Sequence, residues 1–265
     1  MFMNRYFIEM AYNGTPFHGW QVQPNAVSVQ AVVDDALGKL LRSQVHVIGA
    51  GRTDTGVHAS YFVAHFDTEI EIDNQDHFLY KINRILPREV VIYSIQLVDP
   101  LLHSRFSAIS RTYHYNLVLL KNPFKKEMAY QPVYDLDFSL MNQAALLLFD
   151  YTDFTSFSKL HTDVKTNNCQ IMQAQWNQIA DHEWQFVVQA DRFLRNMVRA
   201  IVGTLLDVGR GKITVADFKK VIELKHRGGA GSSAPAQALF LVDIVYPEGC
   251  GFEPMAHQSI YRCGR

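Results

Sequence analysis

Asp54, in the stretch GAGRTDTGVHA at residues 49–59, has the neighbours best suited to chemistry in this chain. Three glycines and two threonines follow the apolar Val45, Val47 and Ile48, a composition that predicts a tight loop offering one carboxylate. Gly49, Gly51 and Gly56 accept backbone angles that clash for other residues, so the chain can bend around Asp54 and a ligand can come close. An aspartate is charged at neutral pH and can act as nucleophile, base or stabiliser of positive charge without activation. The plainer reading is a turn whose Asp bonds its own backbone. A Walker-type phosphate cradle is excluded, because Gly56 is followed by Val57 and His58 instead of Lys and a hydroxyl residue. A dinucleotide fingerprint fails on the spacing of the same glycines. Glycoside hydrolysis would need a second carboxylate, and no paired-acid motif stands out.

His58 lies four residues after Asp54, and its expected task is bonding loop carbonyls. Cys169, Cys250 and Cys263 are odd in number and lack C-x-x-C spacing, so a disulfide framework or a zinc ribbon is not indicated. Cys250, His257 and Cys263 have no fourth ligand nearby, and free thiols are expected. The formal net charge of −1 gives no global sign of a polyanionic partner, yet the charges are clustered. Residues 105–126 hold Arg105, Arg111, Lys121, Lys125 and Lys126 and no acid. Residues 191–227 hold nine basic residues against Asp191, Asp207, Asp217 and Glu223. Such patches suit phosphates or solvated helix faces alike.

The elements that must carry these residues repeat one order. Residues 5–12 read as a strand, and Ser28 caps a helix whose Val29, Val32, Val33, Ala36, Leu37, Leu40 and Leu41 form one stripe. Strands at 45–48 and 61–66 flank the glycine loop; a helix at 75–86 ends at Pro87, and a strand covers 90–98. The second half runs as strand 111–120, helix 139–149, a hairpin of 169–179 and 184–189 around Ala180, Asp181 and His182, helices 193–208 and 215–224, and strand 238–246. On a helix beginning at Phe193, Leu194, Val198, Ile201 and Leu205 fall together, while Arg192, Asn196, Arg199 and Gly203 form a separate strip. That strip fits a solvated face, or an approach to a phosphate or to the Asp54 carboxylate.

A β-α-β-β-α-β order used twice predicts an α+β protein of two ferredoxin-like (split β-α-β) halves, their antiparallel sheets side by side around a central cleft. The expected division is 1–104 with the Asp54 loop, 105–247, and a tail at 248–265, with the join near 99–107. At 48% hydrophobic and 19% charged, with no apolar run long enough to span a bilayer, the chain reads as a cytoplasmic protein without a membrane partner.

Seven blocks then occur in order over residues 4–246. They are Tyr12-Asn13-Gly14-Thr15 with Phe17, Gly19-Trp20-Gln21, Pro24 and Val29-Gln30; Gly51-Arg52-Thr53-Asp54 with Gly56-Val57-His58-Ala59; Phe106-Ser107-Ala108 with Arg111-Thr112-Tyr113; Asp153-Phe154-Thr155-Ser156-Phe157; Phe193-Leu194; Met197-Val198-Arg199; and Leu239 to Val242. In these the chain resembles the TruA family of tRNA pseudouridine synthases. The resemblance implies isomerisation of uridine to pseudouridine at positions 38, 39 and 40 of the tRNA anticodon stem-loop, by a homodimer with no cofactor and no metal. It implies Asp54 as nucleophile, Tyr113 as the aromatic residue at the target base and Arg199 as the basic partner of the Asp. It further implies Arg52 in extruding the base and Leu241 packed beneath it. Thr55 stands where Ala or Ser is common in the family, and residues 195–200 read Arg-Asn-Met-Val-Arg-Ala where a His before Met and an Asn after Arg are more usual. Both departures bear on which uridine is preferred.

Overall fold

The computed structural model describes residues 3–159 and 166–255. It divides into two compact units, one of Met1–Ile109 with Val242–Arg265, the other of Ser110–Leu241. Both are mixed α+β.

In the first unit, β1 (Asn4–Tyr12) lies between β3 (His58–Thr68) and β4 (Val90–Val98), antiparallel to both, and the two-residue β2 (Ile48–Gly49) extends the β3 edge. The order is β4-β1-β3, with β2 paired to β3 off that path. α1 (Val29–Leu41) starts where Ser28 accepts the Ala31 N–H at 3.2 Å, and buries Val29, Val33, Ala36, Leu37 and Leu41 from the expected stripe. α2 (Gln75–Ile85) ends before Pro87, as the extended backbone of Leu86 requires. Residues 45–47 are not a strand. Val47 donates its N–H to Asp34 at 2.8 Å and its carbonyl accepts from Gln30 at 2.7 Å, so side chains of α1 take the backbone groups that a ladder would use.

On one face of β1 a polar group is sealed in. Glu9 is 1% exposed and its carboxylate accepts from the Tyr61 hydroxyl at 2.7 Å, the Ser94 hydroxyl at 2.6 Å and the Met255 N–H at 3.0 Å. Phe252 packs its ring 5.0 Å from Phe7 and 5.2 Å from Tyr246, so residues 252–255 cover this part of β1.

In the second unit β7 (Glu183–Ala190) lies between β5 (Ser110–Val118) and β6 (Ile171–Ala180), again antiparallel. β6 and β7 are joined by Asp181 and His182, the latter at φ 60°, the left-handed conformation a two-residue hairpin turn asks for. α3 (Phe138–Leu146) continues into a 3₁₀ turn (Leu147–Asp150), and α5 (Val215–Glu223) begins with a reciprocal cap between Thr214 and Asp217. α4 (Met197–Gly209) begins four residues later than the helix expected at 193, because Asn196 sits at φ 66° and cannot be helical. β8 (Leu239–Val245) carries the chain back toward the first unit.

Candidate active site

Residues 50–57 form a loop held from beneath by the segment 12–20. The Tyr12 hydroxyl and the Thr53 hydroxyl lie 2.9 Å apart, and the Trp20 N–H donates to the Thr53 carbonyl at 3.1 Å. Val57 donates its N–H to the Asp54 carbonyl at 3.1 Å, closing a turn whose third residue, Gly56, has φ 77°. Asp54 opens that turn half-buried, between the buried Thr53 and the exposed Thr55. Arg52, in the same loop, is exposed.

The glycines divide the labour differently from the expectation. Gly56 does make the bend. Gly49 does not: it pairs with Ala64, and a Cβ there would meet the rings of Trp20 at 2.6 Å and Phe62 at 2.8 Å, which themselves lie 4.2 Å apart. Gly51 faces open space, with no atom within 4 Å of its would-be Cβ. The tightest approaches to this loop's backbone come from Gly14 and Gly19, for which the spacing around Asp54 predicted no role. A Cβ on Gly14 would meet the Val57 carbonyl at 2.0 Å, and one on Gly19 the Thr53 carbonyl at 2.5 Å. The repeated glycines in residues 12–20 were the available signal.

His58 is 1% exposed and accepts the Gly14 N–H on Nδ1 at 3.0 Å. It therefore bonds a loop N–H at that nitrogen, not a carbonyl, and Nδ1 carries a lone pair instead of a proton.

Tyr113, Arg199 and Leu241 belong to the second unit. Tyr113 lies on β5, 8% exposed, with the Phe193 ring edge-on at 5.1 Å. Leu241, on β8, is 1% exposed. Arg199 is the half-buried residue of an α4 otherwise buried on all sides, so the two-faced helix expected from periodicity is not what forms. The reason is the segment 231–234, which crosses α4 where Gly203 leaves room: a Cβ there would meet the Ser232 carbonyl at 1.8 Å. Arg199 donates Nε–H to the Ala234 carbonyl at 2.8 Å and its own carbonyl accepts the Ala234 N–H at 2.9 Å. Asn196 is tied to Ser233 at 2.7 Å by the same segment. Gly203 thus serves packing, not phosphate approach. Burial raises the Tyr115 hydroxyl well above its ordinary pKa, and the Arg199 guanidinium opposes that shift.

Many of the clustered cations are engaged. Arg210 and Lys212 both pair with Asp207, Lys220 pairs with Asp217 at 2.9 Å, Lys225 with Asp153 at 3.0 Å and Lys125 with Glu183. Arg227 donates to the Gly231 carbonyl at 3.1 Å and to Ser233 at 3.1 Å. Cys169 and Cys250 are free thiols, and burial pushes Cys169 up to about 12. His257 and Cys263 lie outside the described residues. Among the described residues no group of three or more His, Cys, Asp or Glu side chains is arranged to hold a metal, and no helix is long and apolar enough to cross a membrane.

Comparison with known proteins gives a consistent result. The profile of a family described as tRNA pseudouridine synthase matches residues 144–247. A tRNA pseudouridine synthase A of Bacteroides fragilis is 56% identical over 248 residues, covering 94% of this chain and 98% of its own. The protein of the same name from Parabacteroides distasonis is 55% identical over 246 residues, covering 93% and 97%. That of Bacillus subtilis is 38% identical over 241 residues, covering 89% and 97%.

Proposed function

Because this chain belongs to the TruA family of tRNA pseudouridine synthases, isomerases that convert uridine to pseudouridine in tRNA, we propose that it acts at positions 38, 39 and 40 of the anticodon stem-loop. The observation that carries the reading is the Asp54 loop. Thr53 is held by the Tyr12 hydroxyl and the Trp20 N–H, Gly14 and Gly19 pack closely against the loop backbone, and Asp54 itself is left half-buried beside the exposed Thr55.

Each half of the enzyme is of ferredoxin-like type, and the antiparallel arrangement of β1 between β3 and β4 in the first unit supports this reading. The resemblance assigns the reaction to Asp54 together with groups carried by the second half. Asp54 is the nucleophile, attacking C1′ of the sugar or C6 of the ring; the alternatives are that it stabilises positive charge on the sugar, or that in a glycal route it acts as base, taking the C2′ proton and returning it when C5 joins C1′. Arg199 orients the carboxylate through its planar fork and screens it from RNA phosphates, a task for which lysine is less suited. The clamp of Arg199 on Ala234 supports a fixed geometry for that fork.

The C1′–N1 bond breaks, the uracil turns in place, and C5 joins the same sugar carbon. The C5 proton is given up and N1 gains one, so atoms balance without a co-reactant. Tyr113 stacks on the base and takes the C5 proton. Swinging the uridine out of its stack costs a few kcal/mol, which stacking offsets by about 1–3 kcal/mol. Arg52, exposed on the Asp54 loop, assists extrusion, and Leu241 packs beneath the base. The enzyme works as a cytoplasmic homodimer without a cofactor, a reading that rests on the family.

The decisive experiment pairs Asp54→Asn with unmodified tRNA. Loss of conversion with tRNA binding retained is expected, and turnover by the variant refutes the nucleophile. Mapping pseudouridines in total tRNA from cells with and without the gene tests the positions: loss confined to 38–40 is expected, and loss elsewhere overturns them.

A further inference from the structure

The excursion between β5 and α3 presents an aromatic ring to water in a setting that fits a nucleic-acid base. Phe124 is 93% exposed, and Leu120 in the same loop is 58% exposed. A large apolar ring left outside forgoes the stabilisation that burial would give it. An unstructured loop could leave a ring outside by default, but this one is tightly built. Asn122 caps a 3₁₀ turn (Pro123–Lys125) by accepting the Phe124 N–H at 3.0 Å, and the Ala129 N–H returns to the Lys125 carbonyl at 2.9 Å. Val118 and Tyr130 close the base of the excursion, N–H to carbonyl at 3.0 Å, and the Tyr130 N–H donates to the Asn116 carbonyl at 2.9 Å. Lys125 is tied to Glu183 on β7. The ring is therefore held out by the fold.

Its charged surroundings are Lys121, Lys126 and Glu127, with Lys125 neutralised by Glu183, which leaves two cations to one acid. Lys121 and Lys126 are exposed and, among the described residues, enter no ion pair. From this geometry we infer that residues 119–130 form an RNA-binding site apart from the catalytic centre, in which Phe124 stacks on an unpaired base while Lys121 and Lys126 contact the flanking phosphates. The inference rests on tRNA being the substrate. Aromatic platforms flanked by cations recognise single-stranded nucleotides, because every base has a π-face and only unpaired bases expose it. A lipid surface fits less well, since a single-turn helix with one ring and one leucine lacks the broad apolar face that interfacial binding uses. Tyr113 lies five residues before the strand end at Val118, about 17 Å of extended backbone, and Phe124 lies six residues beyond that end.

The test uses the full-length protein, an unmodified tRNA transcript and a blunt-ended RNA duplex, with affinities measured by fluorescence anisotropy. Phe124→Ala is expected to weaken tRNA binding about tenfold and leave duplex binding unchanged, whereas Phe124→Trp retains wild-type affinity for both. Lys121→Ala with Lys126→Ala is expected to make the slope of log K against log salt shallower by about 1.4. The turnover number at saturating tRNA stays at the wild-type value in all three. Unchanged tRNA affinity in Phe124→Ala overturns the inference. So does a loss of self-association, read by sedimentation, or of binding to anionic phospholipid vesicles without a change in tRNA affinity. Failure of the wild type to convert uridine would instead refute the proposed function, and the two failures are read from separate measurements.

Discussion

The Asp54 loop and the start of α4 present two functional candidates by opposite means. In the loop, the turn around Asp54 is closed within four residues, by Val57 and the positive φ of Gly56, and its supports come from residues 12–20. On α4, Arg199 takes its direction from Ala234, thirty-five residues away, and the helix is packed nearly all round by chain that the local sequence does not announce. A turn closed by local geometry, as around Asp54, leaves a signature in spacing. Support from distant backbone, under both candidates, leaves only glycines.

The largest expected effects test those two supports directly. Gly203→Ala places a methyl 1.8 Å from the Ser232 carbonyl, and Gly14→Ala one 2.0 Å from the Val57 carbonyl. Since both obstacles are backbone, each substitution is expected to cost about 3 kcal/mol in urea unfolding and to reduce turnover by the folded protein. Wild-type stability in Gly203→Ala would break the claim that residues 231–234 fix α4. Next, Gly56→Ala forces a side chain into the left-handed region and is expected to cost about 1–2 kcal/mol, with the catalytic loss exceeding the stability loss.

A pH experiment asks whether the base of the loop is as self-contained as its turn. Ile48, just ahead of the loop, pairs with His65, which is 1% exposed and whose Nε2 has no hydrogen-bond partner among the described residues. Burial first, then Arg5 and His103, lower His65 from 6.5 to about 4, while Asp67 opposes them. The unfolded chain therefore binds more protons between those values, so stability is complete above about 6.5 and falls as the pH drops toward 4. Unfolding at pH 7 and pH 5 should differ more for the wild type than for His65→Gln. The smallest effect belongs to Gly51→Ala, which meets nothing and should leave stability within about 0.5 kcal/mol. A raised KM in that variant would show that RNA, not protein, needs the space.

How much was legible follows the same division. β4 is found at the expected residues 90–98, and the Ser28 cap, the Pro87 stop and the Asp181-His182 turn each sit where a local signal placed them. The strand expected at 45–48 failed because Gln30 and Asp34, residues of a preceding helix, satisfy Val47. The helix expected from 193 failed because Leu194 stays in phase with α4 although Asn196 has already turned the backbone. Periodicity records which side chains are buried. It does not record which backbone groups have found other partners.

The first unit is encoded in two pieces that enclose the second, and Glu9 finds its last hydrogen-bond donor 246 residues away at Met255. During synthesis the ribosome therefore releases all of Ser110–Leu241 before the amino-terminal strand can acquire its cover. The nascent chain must keep Phe7 and an unshielded carboxylate waiting until Phe252 and Met255 emerge. The unit begun first in translation is thus the one completed last.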